Sequence, residues 1–364
     1  MRFPGFEEEW EVRKLGEIAT FSKGKGISKS DIEENGTTEC IRYGELYTFY
    51  SEIVDEIKSK TNLNTSTLVL SKANDVIIPA SGETTTDIAT ASCILKSGVA
   101  LGGDLNIIRT ENNGVFLSYY LNSKKKMDIA KLAQGISVVH LYSSQLATLS
   151  VSLPKLKEQK KISSLLALLD RRIHTQNKII EQLETLIKGL CQKLILLQTS
   201  NKKLKDCVSC YSSSLTESDV NDKNGTFPVY GATGIISFTE NYQINEDAIL
   251  IIKDGSGVGK VQYGTGKFSV IGTLNYLTAK NGINLRYIFF CLKFFNFGKY
   301  KVGSGIPHIY FRDYGEAFIY CPSLIEQNKI ERILSCIDEK INIEKKLLLK
   351  YEKQKKHLLQ NLFI

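Results

Sequence analysis

One stretch of this chain occurs twice, and the repetition limits the folds open to it. LPKLKEQKKISSLLALLDRRI begins at Leu153 and CPSLIEQNKIERILSCIDEKI at Cys321. Pro154 and Pro322 stand 168 residues apart (322 − 154), and the copies keep that register without a gap. Leu156, Glu158, Gln159, Lys161 and Ile162 meet Leu324, Glu326, Gln327, Lys329 and Ile330. Further on, Leu166, Asp170, Ile173, Glu184, Lys188 and Leu190 meet Leu334, Asp338, Ile341, Glu352, Lys356 and Leu358.

Within the first copy apolar residues fall at Ile162, Leu166, Leu169, Ile173, Ile180, Leu183, Ile187, Leu190 and Leu194. Steps of three and four alternate, broken once by Gln176, which is a heptad seam. Asp170 reads as the cap of a second, longer helix after a short first one. The second copy has a weaker seam at Ile330, Leu334, Ile337, Ile341, Leu348, Tyr351, Leu358 and Leu362. Glu344 stands in register with Gln176, and Lys355 replaces Ile187. Two such helices pack most simply as an antiparallel pair.

The segments between the helices repeat more faintly. KLGEIATFSKGKGISKSDI (14–32) resembles KLKDCVSCYSSSLTESDV (203–220), and NDVII (74–78) matches EDAIL (246–250). GISVVHLY (135–142) and GIPHIYF (305–311) close the two segments, with His140 matching His308 and Tyr142 matching Tyr310. Short β-rich runs broken by Gly, Asn and Ser indicate mixed α/β domains. Phe116 to Leu132 has helical spacing and is expected to form a surface helix. The order is therefore domain (1–152), helix region (153–200), domain (201–320), helix region (321–364): an α+β chain with an internal pseudo-two-fold duplication.

Composition excludes several classes. No apolar run approaches the ~18 residues that span a bilayer, and MRFPGFEEEWEV is no signal peptide, so a cytoplasmic protein without membrane partners is expected. Eight scattered cysteines suit reduced core residues, and the lone CxxC (Cys207, Cys210) lacks a second pair for zinc. KDGSGVGKV (253–261) departs from a phosphate loop, because Asp254 stands where the first Gly belongs and Val261 where Ser or Thr belongs. It reads as a glycine-rich hairpin turn. There is no Pro-Pro-aromatic methyltransferase turn, no Pro-Asp nuclease motif and no histidine spacing for a metal. No catalytic or metal-binding residue is expected. A net charge of +8 is compatible with a polyanionic partner without requiring one.

These motifs together resemble, over nearly the whole length, the specificity (S) subunit of type I restriction-modification enzymes. The resemblance rests on the opening FPGFEEEWEVRKLGEI, the GSGIPHIYF at the end of the second domain, and the two P-x-L-x-E-Q-x-K-I helices. It implies two target-recognition domains, each reading half of a split site in double-stranded DNA, held apart by an antiparallel coiled coil. It also implies partners: two methyltransferase (modification) subunits, and restriction/translocase subunits. S-adenosylmethionine, ATP and Mg would belong to those partners, with no cofactor on this chain. A helix from Asp170 to Leu197 would extend ~42 Å, slightly more than one DNA turn. Diverged domains then imply an asymmetric bipartite target. The competing readings are a non-catalytic coiled-coil adaptor without DNA readout and an enzyme fused to a DNA-binding part.

DNA contacts need cations for phosphates and forked or amide groups for base edges. Loops at strand ends supply Lys23, Lys25, Arg42, Lys72, Ser81, Glu83 and Thr84 in the first domain, and Lys253, Asp254, Ser256, Lys260 and Lys267 in the second. The spacer is assigned to Leu166, Ile173, Leu183, Leu190, Leu334, Ile341, Leu348 and Leu358. Glu158-Gln159 and Glu326-Gln327 either cap helices or meet a partner. His140 and His308 are expected to share a structural role, packing each domain onto its helix.

Overall fold

A computed structural model describes residues 2–135, 138–220 and 225–363. Ile136 and Ser137 of the GISVVHLY motif lie outside the described residues. The chain divides into two compact units, Met1–Gln176 with Leu347–Ile364, and Asn177–Lys346. Each unit holds one α/β module and part of both long helices. The cut thus falls within the helices, at 176/177 and 346/347.

The first long helix runs unbroken from Leu156 to Cys191 and ends in a π turn, Gln192–Leu196. This corrects the expected break at Asp170. Between Leu156 and Lys188 there is no Pro or Gly, so every interior N–H finds its carbonyl one turn back. Asp170 therefore caps nothing. Its carboxylate accepts from the Tyr119 hydroxyl and pairs with Lys355 at 2.7 Å. The second long helix runs from Leu324 to Asn361.

Both units show the two helices antiparallel. In the first, Asp170 meets Lys355, and Tyr351 borders Thr175 and Gln176. In the second, Glu184 pairs with Lys345 at 2.5 Å, and Cys191 feels the charge of Asp338. The heptad residues Leu166, Leu334 and Ile341 are buried, and Ile173, Leu183, Leu190, Leu348 and Leu358 are half-buried. The polar positions Gln176 and Glu344 are also buried.

The modules share a strand plan. In the first, Ala19–Lys23, Leu105–Thr110 and Val76–Pro79 are consecutive antiparallel neighbours. In the second, Val208–Ser212, Leu274–Ala279 and Ala248–Ile252 pair in the same order. Each module has a second small sheet containing one parallel pair, Thr38–Ile41 with Ala100–Leu101 and Phe227–Gly231 with Lys267–Val270. A final antiparallel pair leads into each long helix: Glu11–Lys14 with Ser150–Leu153, and Lys202–Lys203 with Phe318–Ile319. The faint sequence repeat is thus a repeat of topology.

Phe116–Leu132 forms two helices, Gly114–Ser123 and Lys126–Leu132, and the first is not a surface helix. Phe116, Leu117, Tyr119, Tyr120 and Leu121 are all buried, so apolar side chains occupy the whole circumference. The module's sheet covers one face. Ile162 and Leu166 of the first long helix, and Leu362 and Phe363 just after the second, join the same apolar cluster.

The Glu-Gln of each long helix neither caps it nor faces outward as a pair. Gln159 accepts from the Asn113 N–H at 2.9 Å and donates to the Pro154 carbonyl at 2.8 Å. Gln327 does the same with Asn284 at 2.9 Å and Pro322 at 2.8 Å. Asn113 and Asn284 are themselves the caps of Gly114–Ser123 and Leu285–Lys293. A buried amide therefore fastens each module's own helix to the start of the long one.

Candidate nucleic-acid interface

Strand pairing determines which candidates can meet. Lys23 lies opposite Asn106, and Asn106 opposite Ile78, so the end of Ala19–Lys23 and the exit of Val76–Pro79 share one sheet end. Ser81 follows that exit and pairs with His140. The second sheet brings Arg42 to the same end, since Gly102 donates to the Ile41 carbonyl at 2.9 Å and Lys25 to Leu101 at 2.9 Å. Gly26, Ser28, Lys29, Arg42, Gly102 and Asp104 line a cavity of about 750 Å³ there.

Arg42 is held in place. Its Nη2 lies 3.3 Å from Glu45, which is buried and also accepts from Ser59 at 2.6 Å. The Arg42 Nε is buried with no partner in this structure. Ile27, also on the cavity wall, has φ +64°, which costs a β-branched residue about 1–2 kcal/mol. Its packing with Cys40 and Ala100 offsets that strain. Thr84 caps the short helix Thr85–Ile88 by accepting from the Asp87 N–H at 3.1 Å. Burial raises the Tyr47 pKa, and the charges of Tyr43, Glu83 and Asp87 add to the rise.

Lys72 does not join this group. It precedes Val76, at the opposite end of the strand, in a cleft of about 670 Å³ with Glu17, Asp75 and Arg109. Arg109 is paired there with Asp75 at 3.0 Å.

In the second module the hairpin reading of KDGSGVGKV holds. Ala248–Ile252 and Val261–Gly264 are antiparallel, and the Ile252 N–H donates to Lys260 at 3.0 Å. Gly259 has φ +86°, and a Cβ there would lie 2.7 Å from Phe297, so only glycine fits the turn. The hairpin gathers Lys253, Asp254, Ser256 and Lys260. Lys267 begins a strand at the other end, its Nζ 4.7 Å above the Tyr242 ring.

The histidines do not pack the modules onto the helices. His140 is exposed, His308 is half-buried, and they pair with Ser81 and Asp254 respectively. His140 exchanges two backbone hydrogen bonds with Gln134, and His308 two with Val302. Leu141 donates to Ala80 and Ile309 to Lys253, each at 3.0 Å, so Ser81 and Asp254 occupy equivalent places. Asp254 lies 2.5 Å from His308 Nδ1. Tyr142, Tyr310 and Arg312 stand beside these histidines, and sequence reasoning did not single them out as contact candidates. The repeated His-x-Tyr was the signal for them, but sequence gave it no direction.

Basic loop ends on duplicated α/β modules, each packed against antiparallel helices, are the build of a nucleic-acid-binding protein. Among the described residues no group of three or more His, Cys, Asp or Glu is placed to hold a metal, and no helix is long and apolar enough to cross a membrane. The model of the type I restriction modification DNA specificity domain matches residues 7–185 and 199–353, and the chain belongs to that family. The family recognises DNA sequence and is non-catalytic.

Its relatives include the type I restriction enzyme MjaVIII specificity subunit of Methanocaldococcus jannaschii, 26% identical, covering 97% of this chain and 91% of the relative. A putative type I restriction enzyme MjaX specificity subunit from the same organism is 23% identical over 71% of this chain and 70% of its own. In fold the chain is similar to the S subunit of a type I restriction-modification system from M. genitalium, with TM-score 0.77 and 19% identity over 100% of this chain and 99% of that one. A chain from a study of complex assembly and conformational transition of the type I R-M system gives TM-score 0.51 and 16% identity, over 97% and 96% of the two.

Proposed function

We propose that this chain reads an asymmetric, bipartite target in double-stranded DNA, one half-site per module. The observation that carries this is a common frame with different side chains at the reading end. Ser81 and Asp254 hold the same place opposite His140 and His308, yet one offers a hydroxyl and the other a carboxylate. The following loops diverge further, Glu83-Thr84 against Ser256 and Lys260. A shared frame fixes how a module approaches a groove, and the side chains on it choose the bases. Lys23, Lys25, Arg42, Ser81, Glu83 and Thr84 form the first DNA-contacting group. Lys253, Asp254, Ser256 and Lys260 form the second, with Lys72 and Lys267 outside both.

The long helices act as the spacer and dock two methyltransferase subunits, with restriction/translocase subunits joining that core. S-adenosylmethionine, ATP and Mg²⁺ serve on those partners, and this chain contributes recognition alone. Sequencing methylated adenines in cells with and without the chain tests the proposal. Loss of a split motif is the expected result, and an unchanged methylome overturns it.

A further inference from the structure

Bases differ between half-sites, but the sugar-phosphate backbone does not. Whatever the modules share at their reading ends is therefore suited to the common part of the ligand. His140 and Tyr142 stack with ring centroids 6.4 Å apart and planes at 25°, and His308 and Tyr310 stack at 6.4 Å and 13°. In both copies the histidine backbone is pinned on two sides, by Gln134 and Ser81 in one and by Val302 and Asp254 in the other. Gly135 and Gly303, at φ +130° and +91°, enter the two loops at the same point.

A cation lies over each tyrosine, but it comes from a different part of the chain. Lys23 Nζ is 6.0 Å from the Tyr142 ring, and Arg312 Cζ is 4.9 Å from the Tyr310 ring. The chemistry is thus kept while the source of the charge changes. Tyr142 and Tyr310 are 47% and 45% exposed, too open for a role in the core. A phenol with a cation on its face presents a neutral and a charged donor side by side, which suits a phosphodiester oxygen.

We propose that Tyr142 with Lys23, and Tyr310 with Arg312, are paired clamps on the DNA backbone. They set affinity and register in both modules and read no sequence. His140 and His308 are positioning residues that hold the tyrosine rings by stacking. This rests on the DNA-reading function proposed above.

The test uses the full chain with two probes: a random-sequence duplex pool, and the duplexes the wild-type chain enriches from it. Tyr142→Phe and Tyr310→Phe remove only a hydroxyl, and Lys23→Gln and Arg312→Gln only a charge, all at exposed positions where folding is spared. Each variant should weaken both probes by the same factor, roughly three- to tenfold, and enrich the wild-type motif. Each lost cation should lower the slope of log affinity against log salt by about 0.9. His140→Phe should keep wild-type binding and His140→Ala should not. A changed motif, a loss confined to the enriched duplex or to one module, or unaltered salt slopes overturns the clamp while leaving DNA recognition standing. A wild-type chain that binds no duplex overturns the function beneath it and the clamp with it.

Discussion

Lys355→Met should loosen the first unit by about 2 kcal/mol, through the group the lysine neutralises. Its ammonium lies 2.7 Å from Asp170 and 3.3 Å from Glu52, 5.7 Å from the centre of the Tyr119 ring. The three charged side chains are 21%, 23% and 15% exposed. Exposed pairs are worth about 0.2–1 kcal/mol, whereas removing one partner of a buried pair costs about 3–5. A cluster at these exposures falls between, and about 2 kcal/mol is a roughly thirtyfold rise in local opening. Hydrogen exchange of the Leu105–Thr110 amides, compared with those of Leu274–Ala279, reads the effect unit by unit. Met fills the stem's volume, so the loss is electrostatic, and adding Asp170→Asn and Glu52→Gln should recover most of it. Burial opposes the Lys355 charge, but Glu52 and Asp170 outweigh it and raise its pKa. Its contribution is therefore complete below the ordinary lysine value of about 10.4 and fades as pH rises through the higher folded value. The penalty should thus be flat from pH 6 to 9. A neutral Lys355→Met, or a double carboxylate variant that recovers nothing, would refute this account.

Gln159→Ala and Gln327→Ala should each cost about 1–3 kcal/mol, by similar amounts in chemical denaturation, since each strands a buried N–H and a carbonyl. Among the eight cysteines, Cys336 is exposed, whereas burial pushes the Cys93, Cys191 and Cys207 thiols up to about 12. A native thiol titration at pH 8 should accordingly label Cys336 well ahead of those three, and equal rates would contradict the packing. Ile187→Lys puts a charge into the apolar seam of the second unit and should cost about 3 kcal/mol or more, read by exchange in Leu274–Ala279. Inserting one heptad into both long helices adds about 10 Å. Methylome sequencing should then find the two half-sites unchanged and the spacer about three base pairs longer; an altered half-site would sink the spacer role.

What sequence made legible followed from periodicity and duplication. The heptads gave the helices and their antiparallel pairing, and the 168-residue offset gave two like modules. Asp170 misled because an acid inside a helix looks the same in sequence as an acid at its cap. Only Tyr119 and Lys355, 51 and 185 residues away, decide between them. Phe116–Leu121 misled similarly, since its all-round apolar character matters only once the sheet and the long helices lie against it. Lys72 and Lys267 stand at the opposite strand ends from the other candidates. Strand direction was legible, but which strand neighbours which was not.

The comparison of the two units separates fastening from reading. The Gln159 and Gln327 amides make the same bonds, to the same two backbone positions, in modules whose loops have little in common. Asp170 and Asp338 are both neutralised, but Asp170 by Lys355 of the other long helix and Asp338 by Lys293 of its own module at 2.5 Å. Ile187 then occupies, in the second seam, the position Lys355 holds in the first. A pairing of two first halves would leave Asp170 and Glu52 facing isoleucine, and a pairing of two second halves would drive a lysine into an apolar seam already served by Lys293. Each mispairing strands a charge, and the pairing of unlike halves strands none. The weaker second helix thus gives up seam hydrophobicity at position 355 and gains, in exchange, a reason for the duplicated chain to close on itself.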